Sequence, residues 1–131
     1  MNPKDLLYAE THEWVRVTTE GGRKVAAIGI TGFAIEQLTD LVHMVLPKIG
    51  AHVTAGEPFG EVESVKAVSD LYSPVDGEVI AVHSDLTSKL ESLGSDPYNG
   101  GWMIKVALSD ESSLKKLMDA AAYEKQCASE G

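Results

Sequence analysis

The sequence contains little cysteine, no long apolar run and few basic residues. Its 131 residues include one cysteine, Cys127, which excludes an internal disulfide and leaves no cysteine set for a metal centre. No stretch approaches the roughly 18 consecutive apolar residues of a membrane-spanning helix. The start, Met1 to Asp5, has no apolar segment behind a basic one and is not rich in arginine. We therefore expect neither export nor an organelle presequence, and predict a cytoplasmic protein.

Basic residues are outnumbered by acidic ones. Twenty Asp and Glu residues against 11 Lys and Arg give a net charge of −9. A negative field repels nucleic acids and anionic membrane surfaces, so we expect binding to neither. The negative net charge instead favours a soluble protein partner with a basic docking face. The length is that of one domain, spanning residues 1–131.

Short strand patterns dominate the chain, with helices at the edges. Apolar residues at 14–18 and 25–30 flank a Glu20-Gly21-Gly22 turn, which predicts a β-hairpin. Thr31 then predicts the N-cap of a short helix. Near the C-terminus, an apolar stripe at helical spacing predicts a helix over about 109–123, capped by Ser109 or Asp110.

Histidines do not form a metal-binding pattern. No two of them lie at the spacing of a metal-ligating pair, and no glycine-rich phosphate loop or catalytic carboxylate pair can be assigned. We therefore predict structural or surface roles for the four, which are His12, His43, His52 and His83.

Lys66 is the one residue for which the pattern suggests a special role. Strand-like segments at 59–65 and 67–72 meet at this lysine, which predicts a hairpin tip. The acids Glu61, Glu63 and Asp70 lie close by and stabilise the ammonium form, which disfavours a nucleophilic, Schiff-base lysine. The small neighbouring residues, Val65 and Ala67, instead suit a side chain that another enzyme binds and acylates. The alternative is an ordinary solvated lysine on a surface turn.

Four segments carry a resemblance to a known family. The residues around the lysine, Glu63-Ser64-Val65-Lys66-Ala67-Val68-Ser69-Asp70, resemble the lipoyl-attachment hairpin of the glycine cleavage system H proteins. Three further segments agree in the family's order: His12-Glu13-Trp14-Val15, Gly29-Ile30-Thr31, and Asp96-Pro97-Tyr98 running on to Gly101-Trp102.

This resemblance implies both a fold and a site. The fold is mainly β with flanking α-helices, a barrel-sandwich hybrid that presents the lysine at a hairpin tip. The cofactor is lipoic acid, joined to Lys66 as an amide. Glu13 and Asp70 would lie near a groove in which the loaded arm rests, although Glu13 could equally be a plain strand residue.

The resemblance also implies partners. The chain would be a non-catalytic carrier, loaded by a lipoate ligase or lipoyl transferase, and a carrier that visits several enzymes works most simply as a monomer. Its arm would take an aminomethyl group from a pyridoxal-phosphate glycine decarboxylase and yield it to an aminomethyltransferase. A dihydrolipoamide dehydrogenase would then reoxidise the arm.

Departures from the family pattern at several positions, among them Phe33, His43 and His83, leave three alternatives. The first is a lipoate-binding protein carrying sulfur for a heterodisulfide-reductase-like complex. The second is a relay of lipoyl groups to 2-oxoacid dehydrogenases. The third is an unmodified interaction domain in which Lys66 bears nothing.

Overall fold

A computed structural model describes residues 6–38, 40–98 and 100–130. The described part contains nine strands and three α-helices. The strands are β1 (Leu7–Tyr8), β2 (Glu13–Glu20), β3 (Arg23–Ile30), β4 (Leu41–Val45), β5 (His52–Val53), β6 (Pro58–Ser64), β7 (Val68–Tyr72), β8 (Asp76–Val82) and β9 (Ile104–Asp110). The helices are α1 (Gly32–Leu38), α2 (Glu91–Ser95) and α3 (Ala120–Glu130), with 3₁₀ turns at Ser84–Ser88 and Ser112–Lys116.

The strands form two antiparallel sheets around one main core. The larger sheet has the order β1-β2-β3-β9-β8-β5, and the smaller has the order β4-β6-β7. Apolar side chains from both sheets meet between them, among them Ile28, Met44, Val62, Leu71 and Val106. This arrangement is the mainly β, barrel-sandwich fold predicted from the sequence.

The predicted opening hairpin is confirmed. β2 and β3 pair along their whole length around Gly21 and Gly22, whose φ angles of 61° and 82° suit the tight turns that join twisted strands. Directly opposite each other in this hairpin lie Trp14 and Gly29. The missing side chain of Gly29 makes room for the indole of Trp14, which is fully buried.

The predicted cap of the first helix is also confirmed. Thr31 Oγ1 accepts a hydrogen bond of 3.2 Å from the amide of Ala34, which satisfies one of the free donors at the start of α1.

The predicted C-terminal helix over 109–123 is wrong in its bounds. β9 continues to Asp110, and the main chain of Met118 pairs with that of Tyr8 through bonds of 2.8 and 2.7 Å. This pairing requires an extended backbone at a place where the apolar spacing suggested helix. The helix begins only at Ala120, where Asp119 Oδ1 accepts a 2.9 Å hydrogen bond from the amide of Ala122.

None of the helices in the described ranges is both long and apolar enough to cross a bilayer.

Candidate functional site

Lys66 lies at the tip of the hairpin formed by β6 and β7. Glu61 pairs with Asp70 and Glu63 with Val68, so the strands converge on the loop of residues 65–67. The lysine side chain is exposed there. The predicted position of Lys66 at a hairpin tip is therefore confirmed.

The buried hydroxyl of Ser64 organises this loop. Its Oγ accepts hydrogen bonds of 3.2 Å from the amides of Lys66 and Ala67, and donates one of 3.3 Å to the carbonyl of Ala67. The amide of Val65 donates a 3.0 Å bond to the carbonyl of Asp40, which ties the tip to the segment before β4. The lysine thus projects from a backbone whose polar groups are held in place.

The Lys66 ammonium forms no salt bridge with any residue in the described ranges, despite the acids near it in the sequence. Val65 and Val68, on either side, are 65% and 57% exposed. An apolar surface of this kind around an unpaired amine offers contact area to a protein that acts on it.

A groove of about 320 Å³ opens beside this hairpin. One wall is formed by the two strands that carry the lysine, the other by α1 and the loop before β2. We call it the arm groove. Its lining residues are Thr11, His12, Glu13, Ile30, Phe33, Ala34, Gln37, Leu38, Val62, Ser69, Asp70 and Leu71. The structure therefore brings Glu13 and Asp70, which lie far apart in the sequence, into one groove.

Glu13 is a buried acid, which sequence reasoning did not foresee. Its side chain is 1% exposed, accepts a hydrogen bond from the hydroxyl of Thr11, and accepts another of 3.2 Å from the amide of Tyr72. Burial raises the pKa of the Glu13 carboxyl to about 7, although these two hydrogen bonds oppose the rise. The floor of the groove therefore holds an acid that changes charge near neutral pH. Asp70, by contrast, is exposed at the margin.

Behind the groove lies a hydrogen-bonded cluster that the sequence analysis missed. Tyr123 Oη shares bonds of 2.7 Å with His12 Nδ1 and 2.6 Å with Thr31 Oγ1. The backbone of His12 has a φ of 77°, a left-handed value that is uncommon outside glycine and holds the ring towards α3. His12 and Thr31 both belong to the segments that carried the family resemblance. Tyr123 gave no signal because its partners lie 92 and 111 residues away.

Metal ligation finds no support in the described ranges, where no three His, Cys, Asp or Glu side chains are grouped suitably for an ion.

Comparison with known proteins gives one consistent result. The family model described as "Glycine cleavage H-protein" matches residues 6–130. A glycine cleavage system H protein of Rhodopirellula baltica is 58% identical, with 99% of this chain and 98% of that protein covered. The corresponding protein of Marinobacter nauticus is 52% identical, with 98% and 96% covered.

A solved structure agrees with these relatives. The glycine cleavage system H protein of Mycobacterium marinum superposes with a TM-score of 0.83 at 35% identity, covering 97% of this chain and 99% of that one. These similarities support a lipoyl carrier of glycine cleavage over the sulfur-carrying, lipoyl-relay and unmodified alternatives. With its paired sheets, its hairpin lysine and a family match over almost its whole length, the chain belongs to the glycine cleavage H-protein family.

Proposed function

We propose that Lys66 carries lipoic acid in an amide bond, and that the chain is a non-catalytic carrier whose arm moves an aminomethyl group between glycine cleavage enzymes. The observation that carries this proposal is the exposed amine at an ordered hairpin tip, which has no ion-pair partner within the part of the chain that the structure describes. A ligase requires an amine that it can reach, and an amine held by a neighbouring carboxylate would first have to be freed.

The order of the tip supports recognition by the loading enzyme. Three hydrogen bonds to Ser64 fix the backbone of residues 64–67, so little loop entropy is lost when a ligase binds. We propose a lipoate ligase or lipoyl transferase as that enzyme. Acylation removes the ammonium charge of Lys66 and makes the carrier one unit more negative.

The arm groove supports a resting place for the loaded arm. Asp70 lies on β7, four residues from Lys66, and four residues span at most roughly 14 Å, so an arm folded back along the hairpin would meet the groove. We propose that Glu13 and Asp70 face the arm there. Two carboxyl groups suit a cargo that bears an amine, because they can accept its hydrogen bonds.

The proposed partners follow the reaction cycle. They are a pyridoxal-phosphate glycine decarboxylase, an aminomethyltransferase and a dihydrolipoamide dehydrogenase. A tethered cargo reaches a docked active site at an effective concentration on the order of mM, which is the advantage of a carrier over a free intermediate. We further propose that the chain is a single lipoyl-carrier domain and works as a cytoplasmic monomer.

The modification is tested by intact mass after expression with a lipoate ligase and lipoate. The expected result is one added lipoyl group, mapped to Lys66 by peptide analysis and lost in Lys66→Arg. Lys48→Arg, at another exposed lysine, is the matched control and should be labelled like the parent. Labelling of Lys66→Arg at the parent level would refute the assignment.

The pathway is tested separately with lipoylated protein and a competent glycine decarboxylase. We expect glycine-dependent exchange of the glycine carboxyl group with labelled bicarbonate, dependent on Lys66. A fully lipoylated carrier that supports no exchange would refute the glycine cleavage function while leaving the modification site standing.

A further inference from the structure

A second cavity lies on the other side of α1 from the arm groove. It measures about 450 Å³, which is within the range of small-ligand sites. Its walls come from β1, α1, the turn at residues 97–98 and α3. Four of its lining side chains are aromatic: Phe33 and Tyr98, which are half-buried and present a face, and Tyr8 and Tyr123, which are buried behind them. We call it the aromatic cavity.

These rings are held in place by packing and hydrogen bonds. Tyr8 and Tyr123 stack with centroids 4.5 Å apart and planes 5° from parallel. Tyr98 Oη accepts a 3.0 Å hydrogen bond from the amide of Gly32, which fixes it against the start of α1. The walls therefore do not need to be ordered when a ligand enters, which lowers the entropic cost of binding.

The charge of the aromatic cavity has one sign. Glu36 on α1 and Glu124 on α3 line it and are exposed, and no Lys or Arg is present among the lining residues in the described ranges. The phenols of Tyr8 and Tyr123 add no charge, because burial, followed by the neighbouring Tyr98, Glu124 and Cys127, raises the pKa of Tyr8 to about 12, and burial likewise raises the pKa of Tyr123. At neutral pH the cavity thus combines aromatic walls with two carboxylates.

We propose that the aromatic cavity binds the guanidinium group of an arginine side chain presented by a partner protein. Guanidinium is planar, weakly hydrated and stacks on aromatic rings, and its fork of N–H donors matches carboxylates. A Lys ammonium lacks the planar face and is more strongly hydrated, so it fits this combination less well. The carboxylates of Glu36 and Glu124 line the same cavity and can accept hydrogen bonds from the guanidinium N–H donors.

The position of the cavity indicates what kind of partner would use it. Phe33 lines both the aromatic cavity and the arm groove, and His12 of the groove is hydrogen-bonded to Tyr123 of the cavity. A protein with an arginine in the cavity would therefore lie directly beside the groove. The net charge of −9 favours a basic docking face on that protein. Identifying the partner as an enzyme that acts on the arm rests on the proposed function, whereas guanidinium binding does not.

Guanidinium binding is tested by titrating ¹⁵N-labelled protein with N-acetyl-arginine amide. N-acetyl-citrulline amide is the matched control ligand, because it is planar and of the same shape but uncharged. We expect weak binding, with a Kd on the order of mM, and amide shifts confined to Tyr8 and to residues 32–36, 98 and 120–127. The citrulline compound should produce little or no shift.

Removing the two carboxylates tests the charge contribution. Glu36→Gln combined with Glu124→Gln should weaken arginine binding roughly three- to tenfold, as expected for exposed ion pairs. Glu57→Gln combined with Glu78→Gln removes the same charge from exposed positions outside the cavity lining and should leave the affinity unchanged. Equal binding of the citrulline compound, shifts scattered over the acidic surface, or equal weakening by both double variants would each overturn the site.

A kinetic measurement tests whether a partner uses the cavity. In glycine-dependent carboxyl exchange, the double variant at 36 and 124 should raise the KM for the carrier several-fold with kcat unchanged. An unchanged KM would overturn the role in docking. Failure of this inference can be distinguished from failure of the proposed function by two controls. The double variant must first show normal lipoylation at Lys66, and the arginine titration can also be run on Lys66→Arg, which cannot be lipoylated at that position.

Discussion

Replacement of Glu13 by Gln should stabilise the protein at alkaline pH and have little effect at acidic pH. Burial raises the pKa of the Glu13 carboxyl from 4.5 to about 7. Between these two values the folded protein holds a proton that the unfolded chain has released, so the free energy of unfolding falls as the pH rises through this window. Below about pH 4.5 both states are protonated and the penalty disappears.

The size of the effect follows from the same two values. At about 1.36 kcal/mol per pKa unit, ionising buried Glu13 costs the folded state roughly 3 kcal/mol once the pH exceeds 7. Gln has the same shape and can still accept the hydrogen bond from the amide of Tyr72, but it carries no charge. The stability difference between variant and parent should therefore grow from near zero at pH 4.5 to about 3 kcal/mol at pH 8.

Urea unfolding followed by tryptophan fluorescence measures this difference, since Trp14 is completely buried. With a urea slope of about 2 kcal/mol per M, the midpoint of Glu13→Gln should lie about 1.5 M above that of the parent at pH 8. Glu57→Gln, at an exposed position, should stay within about 0.5 kcal/mol of the parent at every pH. A difference between Glu13→Gln and the parent that does not change from pH 4.5 to pH 8 would refute the argument that burial sets the charge state of Glu13.

Two further predictions concern the hairpin tip and the opening hairpin. Ser64→Ala removes the hydroxyl that accepts hydrogen bonds from the amides of Lys66 and Ala67, so it should lower the free energy of unfolding in urea by about 1–3 kcal/mol and slow ligase-dependent labelling. A labelling rate equal to that of the parent would show that an ordered tip is not required. Gly29→Ala would place a methyl group 2.7 Å from the indole of Trp14 and should lower the free energy of unfolding by about 1–3 kcal/mol. In the control Gly32→Ala the methyl group meets only the hydroxyl of Tyr98, at an ordinary contact distance of 3.5 Å, so no such loss is expected, and equal effects of the two changes would contradict the packing argument.

Features that depend on neighbours along the chain could be predicted from the amino-acid sequence alone. The Gly21-Gly22 turn fixes the first hairpin because glycine tolerates the positive φ angles that the turn needs. Thr31 caps α1 through a bond to a residue three positions on. Lys66 could be assigned to a hairpin tip because the segments on either side of it each have a strand pattern of their own. The family resemblance around it could also be recognised, because contiguous residues carry it.

The remaining features, namely the position of the C-terminal helix, the burial of Glu13 and the aromatic cavity, depend on contacts between distant residues that form only when the chain folds. The apolar spacing at 114–118 predicted a helix. Residues up to Lys116 form only a 3₁₀ turn, pairing of Met118 with Tyr8 across 110 positions keeps the backbone extended at 117–118, and the α-helix begins at Ala120. Glu13 is buried because β7 and α1 pack around it, so its raised pKa could not be predicted from the residues next to it in the sequence. The aromatic cavity likewise exists only because α3 packs against β1 and faces α1 across the cavity. A local pattern specifies backbone conformation, whereas burial and charge state depend on which surfaces fold together.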